Sequence, residues 1–570
     1  MYIHMYVYHM AYTGNTGTYS RVYVSFVFCI YFCINNRKAY ILEGDKCQTI
    51  FEMSIKVLKH VLKCLVIRFH IIFDCMIDFI FGLYYDRNIQ KVPPIKNDLL
   101  LTSASELAER IRTKKISSVE VVTAFINRAK EVNGIINAVV EDRYSDALEE
   151  AKEVDKFLQT LENIDSIKEQ KPFLGVPFTT KESNEAKGML HTMGLTSRCT
   201  FRSEEDSTAI GFMKNAGGIL IAKTNIPELN LWTESRNNIY GQTCNPYNTT
   251  RNVGGSSGGE GAITAACGTA FSIASDIGGS TRMPAFFNGL FGFQPTAGLT
   301  PLKGIGLRKE DYPNSMSGVG PICKKAEDLV PILKVLVGEK ISLLKLDAEV
   351  DVKCLNIFYQ ENSGDIRTSR VNSEMRAALL KVVQHFKEIT GSATKIKIPG
   401  SEYSYRLWRF WMTQENFDFK INITNGKYRA SALTEISKFL TGRSDLTLAA
   451  IIKLIDEDIF PREDAEWAMN VTTNMKQYLM DKLEHNGILI YPSSPFQTGY
   501  HYTAFFRPFN FGYWCLFNVL KFPVCQVPLG VDKNGLPIGV QVVAAPYNDH
   551  LCLAVARELE KVFGGWVSPA

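Results

Sequence analysis

The sequence predicts an α/β domain in which strands and helices form separate layers. Three short apolar runs are typical of buried strands, namely residues 219–223 (ILIAK), 524–529 and 538–543. Helical patterns alternate with these runs along the chain, and this mixture favours a layered α/β architecture. The composition agrees, because 46% apolar and 21% charged residues lie near the globular average and exclude a disordered chain or a coiled coil.

Local signals support the individual elements. Helices are expected over residues 103–112 and 117–132, and the second opens on a serine with Glu120 three residues later, which is a capping box. The last two strands flank a Lys-Asn-Gly turn and so predict a hairpin-like pair. A helix over 549–563 should follow, because Gly564 provides a typical C-terminal stop.

Charge and cysteine content exclude several functions. The formal net charge is only +4, with 63 basic and 59 acidic residues, so no nucleic-acid partner is expected. The 13 cysteines include no CxxC pair, which predicts neither a metal site nor a disulfide framework. Scattered cysteines of this kind favour small buried side chains in a reducing, intracellular compartment.

The first 94 residues differ in composition from the rest and are predicted to form an apolar extension. The apolar run at 22–34 is thirteen residues long, short of the roughly 20 that cross a bilayer. Residues 62–85 predict an apolar helix whose polar residues form one stripe, consisting of Lys63, His70, Asp74 and Asp78.

Two interpretations of this helix stay open. Association with a membrane surface is favoured, since the rest of the helix circumference is Leu, Val, Ile, Phe and Met. The alternative is a helix packed on its own domain with the stripe turned inward. Val92-Pro93-Pro94 interrupts any helix, so a domain boundary is placed there, with a catalytic domain over 95–570.

The chemistry-bearing residues concentrate between 174 and 285. Residues 254–261 (GGSSGGEG) contain five glycines in eight positions, and a second Gly-Gly-Ser follows with Ser280 24 residues after Ser256. Glycines beside a serine allow backbone N–H groups to approach a substrate closely. A phosphate-binding loop is disfavoured, because the Lys-Ser/Thr pair that ends such a loop is missing from this run. A nucleophile elbow at Ser256 would need a preceding strand, and polar turn sequence stands there instead. The remaining interpretation is that both serines act with a lysine.

That lysine is Lys181, which ends the apolar stretch LGVPFTTK. Burial disfavours the charged form of a lysine, so one in this position can be neutral near pH 7 and act as a base.

Three motifs together resemble the amidase signature family, and within it the fatty-acid amide hydrolases. They are LGVPFTTKE (174–182), GGSSGGEGA (254–262) and SDIGGSTRMPAFFNG (275–289), and the resemblance covers about residues 95–570. It implies a large mixed β-sheet covered by α-helices on both faces, preceded by the apolar N-terminal helical extension. It also implies hydrolysis of linear amides without metal or cofactor.

The resemblance implies roles for individual residues. Ser280 matches the acyl-forming nucleophile, Ser256 the bridging serine after a cis peptide bond, and Lys181 the base. The backbone N–H groups of Ile277, Gly278, Gly279 and Ser280 match the oxyanion hole. Asp276 and Arg282 match a pair of residues that holds this loop in place. Asn230 matches a residue that lines the acyl-chain channel.

Fatty-acid primary amides or N-acylethanolamines are the expected substrates. Aromatic-rich stretches at 403–417 and 502–517 could line an apolar pocket or belong to the core. The enzyme is expected to meet this small lipid amide at a membrane surface, alone or as a homodimer. The alternatives are an amidotransferase-type glutamine amidase subunit of the same superfamily, a Ser-His-Asp esterase using Ser256, and an inactive scaffold. His191 lies near the motifs and is expected to be structural.

Overall fold

The computed structural model describes the backbone of residues 44–161 and 165–569. The apolar run at 22–34 lies outside these residues. The chain divides into two compact units, Met1–Val66 and Ile67–Ala570. The domain boundary expected at residue 94 stays a prediction.

Thirteen strands and seventeen α-helices are present in the described residues. The strands are β1 (Val139–Asp142), β2 (Pro177–Lys181), β3 (Ile219–Thr224), β4 (Arg236–Asn237), β5 (Gly241–Gln242), β6 (Phe271–Asp276), β7 (Phe291–Gln294), β8 (Gly318–Cys323), β9 (Asn356–Tyr359), β10 (Thr394–Lys395), β11 (Gly487–Pro492), β12 (Val524–Val531) and β13 (Pro537–Val543). The helices are α1 (Gly44–Tyr85), α2 (Ala104–Arg112), α3 (Ser118–Ile136), α4 (Tyr144–Thr160), α5 (Asp165–Gln170), α6 (Thr208–Asn215), α7 (Gly258–Ala265), α8 (Arg282–Phe287), α9 (Leu329–Val337), α10 (Ser373–Thr390), α11 (Ser404–Met412), α12 (Phe419–Asn422), α13 (Ala432–Leu440), α14 (Leu448–Asp458), α15 (Ala465–Leu483), α16 (Gly512–Leu520) and α17 (Asp549–Phe563).

Eleven strands form one sheet in the order β1-β3-β2-β6-β8-β7-β12-β13-β11-β9-β10, and β4 and β5 pair separately. The sheet is mixed. Strand β2 runs parallel to β3 and β6, whereas the central pairs from β6 to β13 are antiparallel.

Alternate residues along a strand of the sheet pack in different hydrophobic clusters, so helices cover both faces of the sheet. In β11, Ile488 and Ile490 belong to a cluster with α2, α10 and α17, whereas Leu489 and Tyr491 pack with α15 and α16. This alternation is the period-two pattern of a sheet buried on both sides. The predicted α/β fold with a large mixed sheet between helical layers is confirmed.

Several local predictions are also confirmed. Ser117 caps α3 by accepting the Glu120 N–H at 3.0 Å, and Gly564 ends α17 in the left-handed region at φ 87°. The helix expected over 62–85 is present but longer, because α1 spans Gly44–Tyr85. Within the described residues, no helix is both long and apolar enough to cross a membrane.

The parallel part of the sheet positions the chemistry-bearing residues. Because β2 and β6 are parallel neighbours, their carboxyl ends meet at one edge of the sheet. Lys181 is the last residue of β2 and Asp276 the last of β6. Lys181 and Ser275 are 94 residues apart in the sequence. They therefore come into contact at this edge of the sheet.

Candidate active site

Lys181 is buried at the end of β2 and contacts a serine. Its Nζ lies 2.8 Å from Ser256 Oγ and 3.2 Å from Ser275 Oγ, and the residue is 1% exposed. The pKa of Lys181 is lowered to about 7, mainly by burial. The charges of Asp276 and Glu260 oppose this shift, and the charge of Arg308 adds to it. A lysine in this state exchanges protons near neutral pH.

Ser256 lies in the glycine–serine run immediately before α7, and the Gly255–Ser256 peptide bond is cis, as the family resemblance implied. Its side chain is fully buried. Glycine is required at 255, because a Cβ there would stand 2.3 Å from the Trp232 carbonyl oxygen. Residues 252–255, directly before Ser256, form no strand, so the strand–turn–helix context of a nucleophile elbow is missing at this serine.

Ser280 follows β6 and precedes α8, and at 8% exposure it is the most accessible of the three candidate residues. Gly279 before it has φ +110°, and a Cβ at this position would lie 2.3 Å from Trp514 Cβ. The Ser257 N–H donates to the Ser280 carbonyl oxygen at 3.3 Å. This bond ties the two serine motifs together.

The Asp276 carboxylate organises the loop that carries Ser280. It accepts the N–H of Gly279 at 2.6 Å and that of Thr281 at 3.1 Å. Arg282 Nε donates to it at 3.0 Å, and both of these charged side chains are fully buried. Burial raises the pKa of Asp276, but the Arg282 charge and the hydrogen bonds outweigh it and hold the pKa below its usual range.

Residues far along the chain complete this arrangement. Arg282 Nη1 donates to Gln541 Oε1 at 2.7 Å, and Nη2 donates to Asn518 Oδ1 at 2.6 Å. Asn518 also donates to Asp276 Oδ1 at 2.9 Å. The buried ion pair is thus fully hydrogen-bonded, which is the condition under which such a pair is tolerated.

The N–H groups of the loop differ in their availability. The Gly279 N–H is used by Asp276. In the part of the chain that the structure describes, those of Ile277, Gly278 and Ser280 donate to no protein acceptor. Three backbone donors beside an accessible serine are therefore free to bind an oxygen.

Two cavities meet at Ser280. The serine cavity, about 50 Å³, is lined by Lys181, Ser256, Ser275 and Ser280. The aromatic cavity, about 110 Å³, runs from Ser280 between rings and apolar side chains, among them Trp232, Tyr405, Trp408, Ala504, Pro508 and Phe511. Asn230 borders both. The aromatic stretches near 403–417 and 502–517 thus contribute to a cavity and, through Phe410 and Phe517, to the core.

His191 takes no part in this arrangement. Burial lowers the pKa of His191 to about 3, and its nearest acidic partner is Glu185, with 3.5 Å between His191 Nδ1 and Glu185 Oε1. Among the described residues, no histidine lines either cavity.

Four residues of this site were not singled out from the sequence. Ser275 and Glu260 lie inside the quoted motifs, and Glu260 joins the strands by accepting Thr179 Oγ1 at 2.8 Å and Thr224 Oγ1 at 2.9 Å. Both Ser275 and Glu260 are polar residues within an apolar motif, and this contrast could have identified them from the sequence. Asn518 and Gln541 offer no local signal, since each is more than 230 residues from Arg282.

The fold and this site are those of an enzyme, and comparison with known proteins gives its class. The family model described as Amidase matches residues 120–553. The chain therefore belongs to the amidase family and is a hydrolase of amide carbon–nitrogen bonds. The resemblance found in the motifs is confirmed.

Within that family the similarity extends over most of the chain. It is 41% identical to human fatty-acid amide hydrolase 2 over 488 residues, covering 84% of this chain and 92% of that protein. It is 40% identical to zebrafish fatty-acid amide hydrolase 2-B, with the same coverage. A solved fatty acid amide hydrolase superposes with TM-score 0.66 at 21% identity, covering 83% of this chain and 86% of that one, and supports the fold.

Proposed function

We propose that the protein hydrolyses fatty-acid amides, either primary amides or N-acylethanolamines, to free fatty acid and amine. The catalytic triad would be Ser280, Ser256 and Lys181. The observation that carries this proposal is the buried 2.8 Å contact between Lys181 Nζ and Ser256 Oγ at the cavity that Ser280 lines. A serine is a weak nucleophile at its own pKa and needs an adjacent base.

The proposed proton path extends the Lys181–Ser256 contact to Ser280, which lines the same cavity. Neutral Lys181 accepts the proton of Ser256, and Ser256 accepts that of Ser280 as its oxygen attacks the amide carbonyl. Ser256 then returns a proton to the leaving amine, so that the carbon–nitrogen bond breaks and an acyl ester on Ser280 remains. Water hydrolyses this ester, and the proton returns along the same path.

The oxyanion is assigned to the free N–H groups of Ile277, Gly278 and Ser280. Removal of one such donor in a serine protease costs about 3–4 kcal/mol of transition-state stabilisation. Gly279, which the resemblance also implies for the hole, donates to Asp276. We therefore give its N–H the role of holding the loop, as with Asp276 and Arg282.

The substrate class rests on the aromatic cavity and on the relatives. Rings from Trp232, Tyr405, Trp408 and Phe511 line the path that leads from Ser280, which suits an acyl chain and not a polar glutamine side chain. Lys453 and Asp456 also line this cavity, so the alternative of a glutamine amidase subunit is disfavoured by the excess of rings and apolar side chains and by the relatives. The alternative esterase lacks a histidine at Ser256, whose hydroxyl contacts Lys181.

We also propose that α1 attaches the enzyme to an intracellular membrane surface, with the helix lying in the interface. From residue 67 onward it exposes a row of large apolar side chains, with Phe69 at 64%, Ile72 at 68% and Phe79 at 66%. Exposed apolar surface of this extent is typical of a membrane or protein contact. Co-sedimentation with phosphatidylcholine vesicles tests it.

Fluorophosphonate labelling with mapping of the modified peptide tests the chemistry. The label should appear on Ser280 and be lost in Ser280→Ala. A label on Ser256 would overturn the triad and favour the esterase, and absence of label on folded protein would favour the inactive scaffold. Hydrolysis of oleamide and N-oleoylethanolamine against glutamine then tests the substrate class.

A further inference from the structure

Asp74 and Asp78 are the only charged residues between positions 71 and 83 of α1, and the structure gives them a partner. Arg507 Nε donates to Asp74 Oδ1 at 2.7 Å and Nη1 to Asp78 Oδ1 at 2.8 Å, while Nη2 donates to the Asp74 carbonyl oxygen at 2.8 Å. The Arg507 side chain is only 4% exposed. A guanidinium this buried requires counter-charges, and α1 supplies both.

Aromatic contacts extend the same attachment. Phe506 packs against Phe73 and Phe81, with ring centroids 6.4 and 5.8 Å apart. At the end of α1, Tyr500 stacks on Tyr85 at 5.9 Å and donates its hydroxyl to Asp86 at 2.8 Å. The helix thus holds the segment from residue 500 to 507 at several points.

The opposite side of this segment forms a wall of the aromatic cavity. Ala504 and Pro508, on either side of Phe506 and Arg507, line the cavity that reaches Ser280. Buried Glu234 holds the segment from a second direction by accepting the Tyr502 N–H at 2.9 Å. The wall is therefore fixed between α1 and the catalytic core.

We propose that Asp74 and Asp78 are positioning residues for the acyl chain, acting through Arg507. This inference rests on the proposed function. With both carboxylates neutralised, a buried guanidinium is left without its counter-charges and moves toward solvent. The cavity wall that contains Ala504, Pro508 and Phe511 then shifts. A cavity of about 110 Å³ cannot absorb such a shift without losing its fit to a long acyl chain.

The test compares labelling of Ser280 by two fluorophosphonates, one with a dodecyl chain and one with an ethyl group. In Asp74→Asn/Asp78→Asn, the second-order rate constant for the dodecyl probe should fall about tenfold and that for the ethyl probe less than twofold. The charge-matched control is Asp98→Asn/Glu310→Gln, which neutralises two exposed carboxylates and should label like the original protein.

Two milder variants keep the test valid if the double variant unfolds. Asp78 is half exposed, so Asp78→Asn should fold and show a smaller loss with the dodecyl probe, whereas Asp78→Glu keeps the charge and should restore the rate. Equal losses with both probes, or no loss with either, would overturn the inference while the triad stands. If the original protein reacts with neither probe, the proposed function and this inference both fail.

Discussion

The pH dependence of amide hydrolysis should report the buried state of Lys181. Burial lowers the pKa of this lysine from 10.5 to about 7, so about half of it is neutral at pH 7. At a pKa of 10.5 only about one molecule in 3000 would carry the neutral base at this pH. In the proposed mechanism the neutral form is the active one, so kcat/KM should rise tenfold per pH unit below about 7 and level off above it.

Two substitutions should move this profile in opposite directions. The charge of Glu260 raises the pKa of Lys181 and that of Arg308 lowers it. Arg308→Gln should therefore shift the rising limb to higher pH. Glu260→Gln should shift it to lower pH by a smaller amount, because burial raises the pKa of Glu260 itself to about 7 and leaves this carboxyl largely uncharged on the acidic side of the limb.

The assay is kcat/KM for oleamide from pH 5 to 10 at constant ionic strength, with product acid measured by mass spectrometry. Glu310→Gln is the control, because Glu310 is exposed and its loss should leave the profile unchanged. A rising limb near pH 10, or shifts of Glu260→Gln and Arg308→Gln in the same direction, would refute the assignment of Lys181 as a base with a pKa set by burial.

Other predictions concern the nucleophile, its loop and the membrane. Ser280→Ala should lower kcat by on the order of 10⁶, as nucleophile removal does in serine proteases, with KM measured alongside; a loss below tenfold would contradict its role. Asp276→Asn leaves buried Arg282 unpaired and should lower the free energy of unfolding by about 3–5 kcal/mol in urea titrations; an unchanged midpoint would count against it. Gly279→Ala should lower kcat, since its Cβ would overlap Trp514, and activity equal to the original protein would show that the loop is not fixed. Phe79→Asp, on the exposed face of α1, should reduce co-sedimentation with vesicles while ethyl fluorophosphonate labelling of detergent-solubilised protein stays unchanged; unchanged co-sedimentation would exclude this face as the contact.

Local sequence was sufficient for the elements and for the candidate residues. The capping box at the start of α3 and the Gly564 stop of α17 act over a few residues, so each was visible in the sequence. The motifs around Lys181, Ser256 and Ser280 were visible for a related reason. Close backbone approach requires glycine, and a buried lysine requires an apolar strand around it.

Longer-range features could not be predicted. The sequence left α1 between a membrane-associated helix and a packed one, because its apolar circumference suits either environment. The structure shows Asp74 and Asp78 in contact with Arg507, more than 400 residues away, while Phe69, Ile72 and Phe79 are exposed. The partner of the two carboxylates could not be identified from a local pattern, and the membrane contact of the exposed side chains stays a proposal.

The sequence by itself determined the α/β class and the family and singled out the residues proposed to carry the amide chemistry, since these follow from short patterns of side-chain type and spacing. Only the tertiary structure decided their state. It placed β2 beside β6 so that Lys181 reached Ser275, and it brought Ser256 to the same lysine. It also completed the Asp276–Arg282 pair with Asn518 and Gln541. Burial and hydrogen-bond partners set the pKa values of Lys181 and Asp276 and determine which N–H groups of the Ser280 loop stay free. Burial and partners in turn depend on how distant segments pack.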